Sequence, residues 1–226
     1  MKFASLSRLP ARLLAAAVIF ALGFPGTAKS ADSAAQWLPP GGPCAAIIAA
    51  AERAEGIPNH LLTAISHAES GRPDPQTGEI IAWPWTINAG GQGQYFATKA
   101  EAVAAVKKLR AKGMTSIDVG CMQVNLHHHP DAFETVEDAF DPRLNAAYAA
   151  AFLKDLREAN RSWARAVALY HSATREFSYP YRKRVYQLWA DLRRFEAKKK
   201  REEVLQAYNE RRAAAQAARK ARRDPS

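Results

Sequence analysis

The sequence of 226 residues contains only two cysteines, Cys44 and Cys121, which excludes a metal centre built on a cysteine cluster. After residue 30 no apolar run is long enough to cross a bilayer, so only the N-terminus is a candidate membrane segment. The chain has no internal repeat, which excludes a solenoid or a propeller. What remains is one domain of good size with extensions at its ends.

The first thirty residues also lack any acidic side chain. Lys2, Arg8 and Arg12 precede the apolar run LLAAAVIFALGF at Leu13–Phe24, and small residues follow it, which is the pattern of a secretory signal peptide. We predict that residues 1–30 are this signal peptide and that the mature protein is periplasmic. An uncleaved membrane anchor is the alternative, which the short run disfavours.

The formal net charge of +10 is concentrated at the two ends of the chain. Residues 1–30 contribute +4 and residues 191–226 contribute +6, whereas residues 31–190 contain sixteen basic and sixteen acidic side chains. A neutral domain does not require a polyanionic substrate, and nucleic acid is not an expected partner of an exported protein. The basic tail is either a solvated extension or a contact for anionic phospholipid headgroups or an acidic partner.

The two cysteines are predicted to pair, because exported proteins meet an oxidising environment. A bridge between Cys44 and Cys121 closes a loop of 78 residues. In the chain-entropy account such a loop stabilises the folded state by about 4.5 kcal/mol before strain. Two free thiols are the alternative.

The hydrophobic periodicity predicts a predominantly α-helical α+β domain over residues 44–190. Helices are predicted at about 44–55, 58–70, 99–112, 142–160 and 162–171, with a last one from about 181. Ile80–Phe96 surrounds the turn AGGQG with β-branched and aromatic residues, which predicts a hairpin, and Ser116–Leu126 is a strand or an extended wall. Residues 31–43 are predicted to be a linker, and residues 191–226 a basic tail that is helical or partly disordered.

One carboxylate lies on an apolar helical stripe, because Leu61, Ile65 and Glu69 recur every four residues. Apolar surroundings disfavour the charged form of a carboxyl group, so the pKa of Glu69 should rise toward about 6. Such a group can protonate a leaving oxygen at neutral pH, which is the chemistry of glycosidic bond cleavage. An exposed glutamate at a frayed helix end is the alternative.

Three short blocks resemble, in this order, those of lytic transglycosylases in the soluble, goose-type-lysozyme-like superfamily. They are AISHAESG (Ala64–Gly71), DVGCMQVN (Asp118–Asn125) and AVALYHSA (Ala166–Ala173). The segment WPWTIN and the Gly-rich hairpin resemble the type associated with secretion, conjugation or pilus machines. The resemblance implies a lysozyme-like fold, glycan strands of peptidoglycan as substrate and no cofactor.

The resemblance also implies a mechanism in which Glu69 acts as both acid and base. It would protonate the oxygen between N-acetylmuramic acid and N-acetylglucosamine, while the substrate's acetamido group stabilises the developing cation. Glu69 would then accept the proton of the muramoyl 6-hydroxyl, which closes on C1 and leaves a 1,6-anhydro end without water. No second carboxylate is needed, but Asp118 or Glu79 as a second acid would make the protein a two-carboxylate muramidase.

The second and third blocks imply the substrate-binding residues. Ser70 would bond to the carboxyl or the substrate, and the hydroxyl of Tyr170 would orient Glu69. Two positions depart from the family pattern: Cys121 replaces a leucine, and His171 replaces an asparagine whose sugar contact it is expected to take over. The full predicted set is Ser70, Met122, Gln123, Asn125, Tyr170 and His171. A helix cap, core packing or a buried tyrosine is the alternative role at these positions.

The sequence supports only weaker predictions for the aromatic residues of the hairpin and for the run of histidines. Trp83, Trp85 and Tyr95 are either sugar-stacking residues of the groove or packing residues of the hairpin. The run His127–His129 does not predict a metal site, because adjacent residues on a regular element cannot converge on one ion.

Two rival functions stay open on the sequence alone. A non-catalytic peptidoglycan-binding assembly factor is disfavoured by the joint presence of Glu69, Gln123 and Tyr170. An adaptor that binds membrane surfaces through the basic tail would leave the three blocks unexplained.

Overall fold

The computed structural model describes residues 41–223, so the predicted signal peptide (1–30) and most of the predicted linker (31–43) lie outside the described residues. The helices are α1 (Ala45–Ala54), α2 (Leu61–Ser70), α3 (Lys99–Ala111), α4 (Val136–Ala139), α5 (Pro142–Asn160), α6 (Trp163–His171) and α7 (Arg175–Arg223). The strands are β1 (Gly71–Pro73), β2 (Ile80–Ala82), β3 (Thr86–Ala89), β4 (Gln92–Tyr95), β5 (Ile117–Val119) and β6 (Val124–Asn125). The predicted fold class, α+β and predominantly helical, is confirmed.

Local side-chain caps begin several helices where the sequence predicts them. Thr98 and Glu101 form a reciprocal capping box at α3. At α5, the carboxylate of Asp141 accepts hydrogen bonds from backbone N–H groups of the first turn, and Pro142 occupies the first helical position. Helix α2 begins three residues after Pro58, because the buried carboxylate of Glu52 on α1 accepts the N–H groups of His60 (2.6 Å) and Leu62 (2.9 Å). This start is therefore set by a tertiary contact.

The strands form two antiparallel sheets. Strands β1 and β2 pair with each other, and the second sheet has the order β4-β3-β5-β6. The predicted hairpin is present as β3–β4, with Gly90 and Gly91 in its two-residue turn at φ of 61° and 79°. Strand β1 was not predicted, because the Gly/Pro-rich sequence at 71–75 indicated only a helix break. Helix α4 was not predicted either, and it has only four residues.

Two groups of buried side chains form the core. One lies among α1, α2, α5, α6 and α7 and includes the disulfide between Cys44 and Cys121, both fully buried, so the predicted pairing is confirmed. The other lies around the second sheet, α3 and α4. Asn145 of α5 joins the two, since its amide donates to the carbonyls of Val119 and Ala139 and accepts the N–H of Met122.

Helix α7 begins at Arg175, earlier than predicted, and continues across residue 191 without a break. Tyr181 and Val185 are buried against the domain, whereas every residue from 193 to 220 is exposed. The predicted domain limits at 44–190 and 191–226 stay predictions. Among the described residues, no helix combines the length and the apolar character that a membrane span requires.

Candidate active site

A cleft of about 250 Å³ opens between the second sheet and helices α2, α5 and α6. The residues that line it are Glu69, Asn88, Asp118, Gln123, Val124, Asn125, His128, His129, Tyr148, Ala149, Phe152, Tyr170 and His171. Five of the predicted site residues are therefore brought together here, namely Glu69, Gln123, Asn125, Tyr170 and His171.

Glu69 lies in the last turn of α2, at one side of this cleft. Its Oε1 accepts a hydrogen bond of 2.5 Å from the hydroxyl of Tyr181. Burial raises the pKa of Glu69 to about 7, with a smaller upward effect from the charge of Asp118, while the Tyr181 hydrogen bond and the charge of Arg184 act in the opposite direction. The upward shift that the apolar stripe predicted is present, and Glu69 can carry or release a proton near neutral pH.

The tyrosine whose hydroxyl bonds to Glu69 is Tyr181, whereas the sequence predicted Tyr170. The hydroxyl of Tyr170 donates to the carbonyl oxygen of Met122 at 2.9 Å and does not bond to Glu69. Burial, together with the nearby charge of Glu69, raises the pKa of both tyrosines well above the ordinary value, so both hydroxyls stay protonated donors. The Tyr181 ring also stacks on His171, with centroids 4.4 Å apart. No sequence signal marked Tyr181, because it lies outside the three blocks.

Ser70 and Met122 do not line the cleft, contrary to the prediction. Both side chains are fully buried. The Ser70 hydroxyl donates to the carbonyl of Cys121 at 2.6 Å, which ties α2 to the turn between β5 and β6. Met122 packs in the core beneath that turn. In this arrangement the two residues support the wall of the cleft and make no direct contact with its interior.

The turn between β5 and β6 depends on two unusual backbone conformations. Gly120 has φ of +83°, and a Cβ at this position would clash with the side chain of Asn145. Gln123 has φ of +49°, and its Nε2 donates to the carbonyls of Thr86 (3.1 Å) and Gly120 (3.0 Å). The predicted cleft residue Gln123 is thus held in place by its own amide.

Three polar residues form a row across the sheet. Asn88, Asp118 and Asn125 are direct cross-strand partners on β3, β5 and β6. The Asp118 carboxylate accepts from Asn88 Nδ2 at 3.1 Å and from Asn125 Nδ2 at 2.7 Å. Burial raises the pKa of Asp118, although both hydrogen bonds oppose the shift. Asn88 Oδ1 is buried without a hydrogen-bond partner, so one acceptor in this row is unsatisfied.

Asp118 is thus a second carboxylate in the cleft. Glu79, the other candidate from the sequence, lies in the turn between β1 and β2 and does not line the cleft. The sequence did not single out Asn88, because the pairing that brings it to Asp118 spans 30 positions.

The wall opposite the sheet is aromatic. Tyr148 and Phe152, one turn apart on α5, pack against His129, and Phe152 also packs against Tyr170. The Tyr148 hydroxyl is 2.8 Å from His129 Nδ1. Burial lowers the pKa of His129 and of His171, which favours their neutral forms. In residues 41–223, no group of three or more His, Cys, Asp or Glu side chains is placed to hold a metal ion.

The aromatic residues of the hairpin lie outside the cleft lining. Trp83 is buried, and its Nε1 donates to the carbonyl of Phe96 at 2.7 Å. The Arg72 guanidinium lies 4.1 Å from the Trp83 ring centroid, and the Tyr95 hydroxyl donates to the carbonyl of Gly71 at 3.0 Å. These contacts favour the packing alternative over sugar stacking.

Residues 46–186 match the family model described as Transglycosylase SLT domain. The match covers more than half of the chain and every residue that lines the cleft, so the protein belongs to this family of lytic transglycosylases. Members act on peptidoglycan, outside the cytoplasm. No curated protein and no solved structure matches the chain.

Proposed function

We propose that the protein is a periplasmic lytic transglycosylase that cleaves the β-1,4 bond between N-acetylmuramic acid and N-acetylglucosamine, with Glu69 as its general acid and base. The observation that carries the proposal is a glutamate beside a cleft, with a pKa raised to about 7 and a tyrosine hydroxyl on one of its oxygens. A pKa near the working pH suits a group that must first give and then take a proton.

In the proposed reaction, Glu69 protonates the glycosidic oxygen through Oε2, because Oε1 already accepts from Tyr181. The bond from C1 to that oxygen breaks, and the N-acetylglucosamine side leaves as an alcohol. The substrate's acetamido oxygen stabilises the positive charge at C1. The Glu69 carboxylate then accepts the proton of the muramoyl 6-hydroxyl as its oxygen bonds to C1. The glutamate is protonated again at the end, and no water is consumed.

The polar row is proposed to bind the substrate. A buried carbonyl oxygen without a partner costs free energy, and a substrate N–H or O–H bonded to Asn88 Oδ1 would remove that cost. Asn125, Gln123 and His171 line the same cleft and offer further polar contacts. The aromatic wall on α5 offers an apolar surface for a sugar ring.

The test is digestion of purified sacculi followed by mass analysis of the products. We expect muropeptides with 1,6-anhydro ends, each lighter by one water than the product of a lysozyme. Products with only reducing ends would contradict the proposed transglycosylase reaction and would indicate that the protein hydrolyses the bond.

A two-carboxylate muramidase is the second candidate, because Asp118 lines the same cleft as Glu69. Two features weaken it: the pKa of Asp118 is raised, and two amide groups already hold its oxygens. Asp118→Asn separates the candidates, since it would abolish a reaction that needs the second carboxylate. A transglycosylase would still form its anhydro products, at a rate lowered only by the disturbance of the polar row.

Recruitment to a secretion, conjugation or pilus machine is a further part of the proposal, and it rests on the resemblance of the hairpin segment alone. A non-catalytic assembly factor is the remaining rival. It predicts no release of muropeptides from sacculi by the purified protein.

A further inference from the structure

The exposed part of α7 lies outside the family match, which ends at residue 186. Its residues from 193 to 223 form one continuous helix of about 45 Å at 1.5 Å per residue. Val204, Leu205 and Tyr208 are 63%, 57% and 61% exposed there, although a helix in water gains nothing by exposing large apolar side chains. This segment therefore has a surface that the catalytic domain does not use.

Charge is segregated around this helix. Steps of three and four residues place one set of side chains on a single face, here called the basic face. The basic face comprises Arg201, Val204, Leu205, Tyr208, Arg211, Arg212, Ala215, Arg219, Arg222 and Arg223. It contains no acidic residue. Glu196, Glu203 and Glu210 recur every seven residues on the opposite side.

The remaining charges agree with this division. Glu202 lies beside the basic face and is within 3.9 Å of Lys198. Lys199 lies on the side of the glutamates, and Gln206 bonds to Glu210 there. The tail's positive charge is therefore concentrated on the face that also exposes Val204, Leu205 and Tyr208, whereas the exposed ring of Phe195 lies on the other side.

We propose that the basic face docks the protein on a bilayer surface that contains anionic phospholipid, with α7 parallel to the membrane plane. Arginine forks bind phosphate oxygens bidentately, and the apolar trio of Val204, Leu205 and Tyr208 enters the boundary between headgroups and acyl chains. A second copy of the chain is a poor occupant, because two arginine faces repel. Nucleic acid would use the arginines but not the apolar trio.

Vesicle sedimentation tests the proposal, with protein purified after export so that the predicted leader is absent. Vesicles of phosphatidylglycerol and phosphatidylcholine in equal parts should bind the protein, and vesicles of phosphatidylcholine alone should not. Arg201→Glu with Arg219→Glu should weaken binding about tenfold or more, since the two residues are five turns apart on one line of the basic face. Binding should also weaken as salt is added.

A matched control is Lys199→Glu with Gln206→Glu and Ala217→Glu, which changes the net charge by the same amount on the side of the helix opposite the basic face. Binding should stay within about twofold, because these side chains are held about 10 Å from the lipid, roughly one Debye length away. Equal losses in the variant of the basic face and in the control variant would overturn the proposal, as would binding to the neutral vesicles or no binding to the anionic ones.

A site-specific label tests the orientation. A fluorophore sensitive to polarity, attached at Tyr208→Cys, should shift to the blue when anionic vesicles are added. The same label at Gln206→Cys, on the opposite side, should not shift. A shift at residue 208 that appears without vesicles as the protein is concentrated would identify a second copy as the occupant and overturn the proposal. Vesicle binding unchanged by Val204→Ser, Leu205→Ser and Tyr208→Ser together, with comparable affinity for duplex DNA, would also overturn it.

Discussion

The hydroxyl of Tyr181 donates a hydrogen bond of 2.5 Å to Glu69 Oε1, across 112 positions of the sequence. It joins the second turn of α7 to the last turn of α2, so the domain must be assembled before Glu69 has its surroundings. The bond stabilises the carboxylate, whereas burial destabilises it, and the net pKa of about 7 results from this opposition.

Glu69→Gln should abolish cleavage while leaving the fold intact. Glutamine has nearly the same shape and can still bond to Tyr181, but it cannot act as an acid. We expect the rate of muropeptide release from sacculi to fall by several orders of magnitude, because one group supplies both proton transfers. Sedimentation with sacculi should still show binding. An unfolded variant, or one that keeps more than about a tenth of the activity, would mean that Glu69 is structural.

Tyr181→Phe should slow cleavage and move its pH profile. Loss of the hydrogen bond removes a group that lowers the pKa of Glu69, so the alkaline limb of the rate profile should move to higher pH. The maximal rate should fall about tenfold to a hundredfold through misplacement of the carboxyl group. Tyr170→Phe is the matched control, since its hydroxyl bonds to the Met122 carbonyl. A larger pH displacement in the Tyr170 variant would show that the assignment of the two tyrosines is wrong.

The contribution of Glu69 to stability should fall as pH rises from about 4.5 to about 7. The folded-state pKa of Glu69, about 7, lies above its ordinary value of 4.5, so the folded state binds the extra proton between these values. The contribution of Glu69 to the free energy of unfolding therefore decreases from about pH 4.5 to pH 7, by at most about 3 kcal/mol, while the lowered pKa values of His67, His129 and His171 act in the opposite direction. Urea titrations of the parent and of Glu69→Gln across this range should show that the free energy of unfolding of the parent, minus that of the variant, falls as pH rises.

Removal of the disulfide should destabilise the domain without removing its catalytic groups. Cys44→Ser with Cys121→Ser should lower the free energy of unfolding by about 2–5 kcal/mol, because the bridge closes a long loop and both residues are fully buried. Thermal unfolding of the parent should show a lower Tm with reductant than without it. An unchanged Tm after verified reduction would refute the stabilising role.

The cleft wall should depend on the glycine at position 120. Gly120→Ala forces a side chain into a left-handed backbone conformation and against the buried Asn145, whose amide holds the surrounding carbonyls. We expect a loss of about 2–4 kcal/mol in stability together with reduced activity at moderate temperature. Gly113→Ala, at a helix end with open space around its Cβ position, is the control for the strain of positive φ alone.

The sequence by itself determined the features that depend on neighbours within a few residues. Thr98, Asp141 and Ser162 cap helices through bonds to backbone groups two or three positions ahead, and the paired glycines specify a hairpin turn. The position of Glu69 on an apolar stripe likewise follows from a spacing of four residues. These relationships are local, so the order of residues is sufficient to predict them.

Only the tertiary structure decided which side chains surround Glu69. Tyr181 reaches it from α7, and the row of Asn88, Asp118 and Asn125 forms only when three strands pair in one register. The same packing placed Ser70 and Met122 behind the wall, because the Ser70 hydroxyl bonds to the Cys121 carbonyl and the Met122 N–H bonds to Asn145 in the core. Contacts between distant segments depend on how helices and strands pack, and no spacing within a single segment encodes that arrangement.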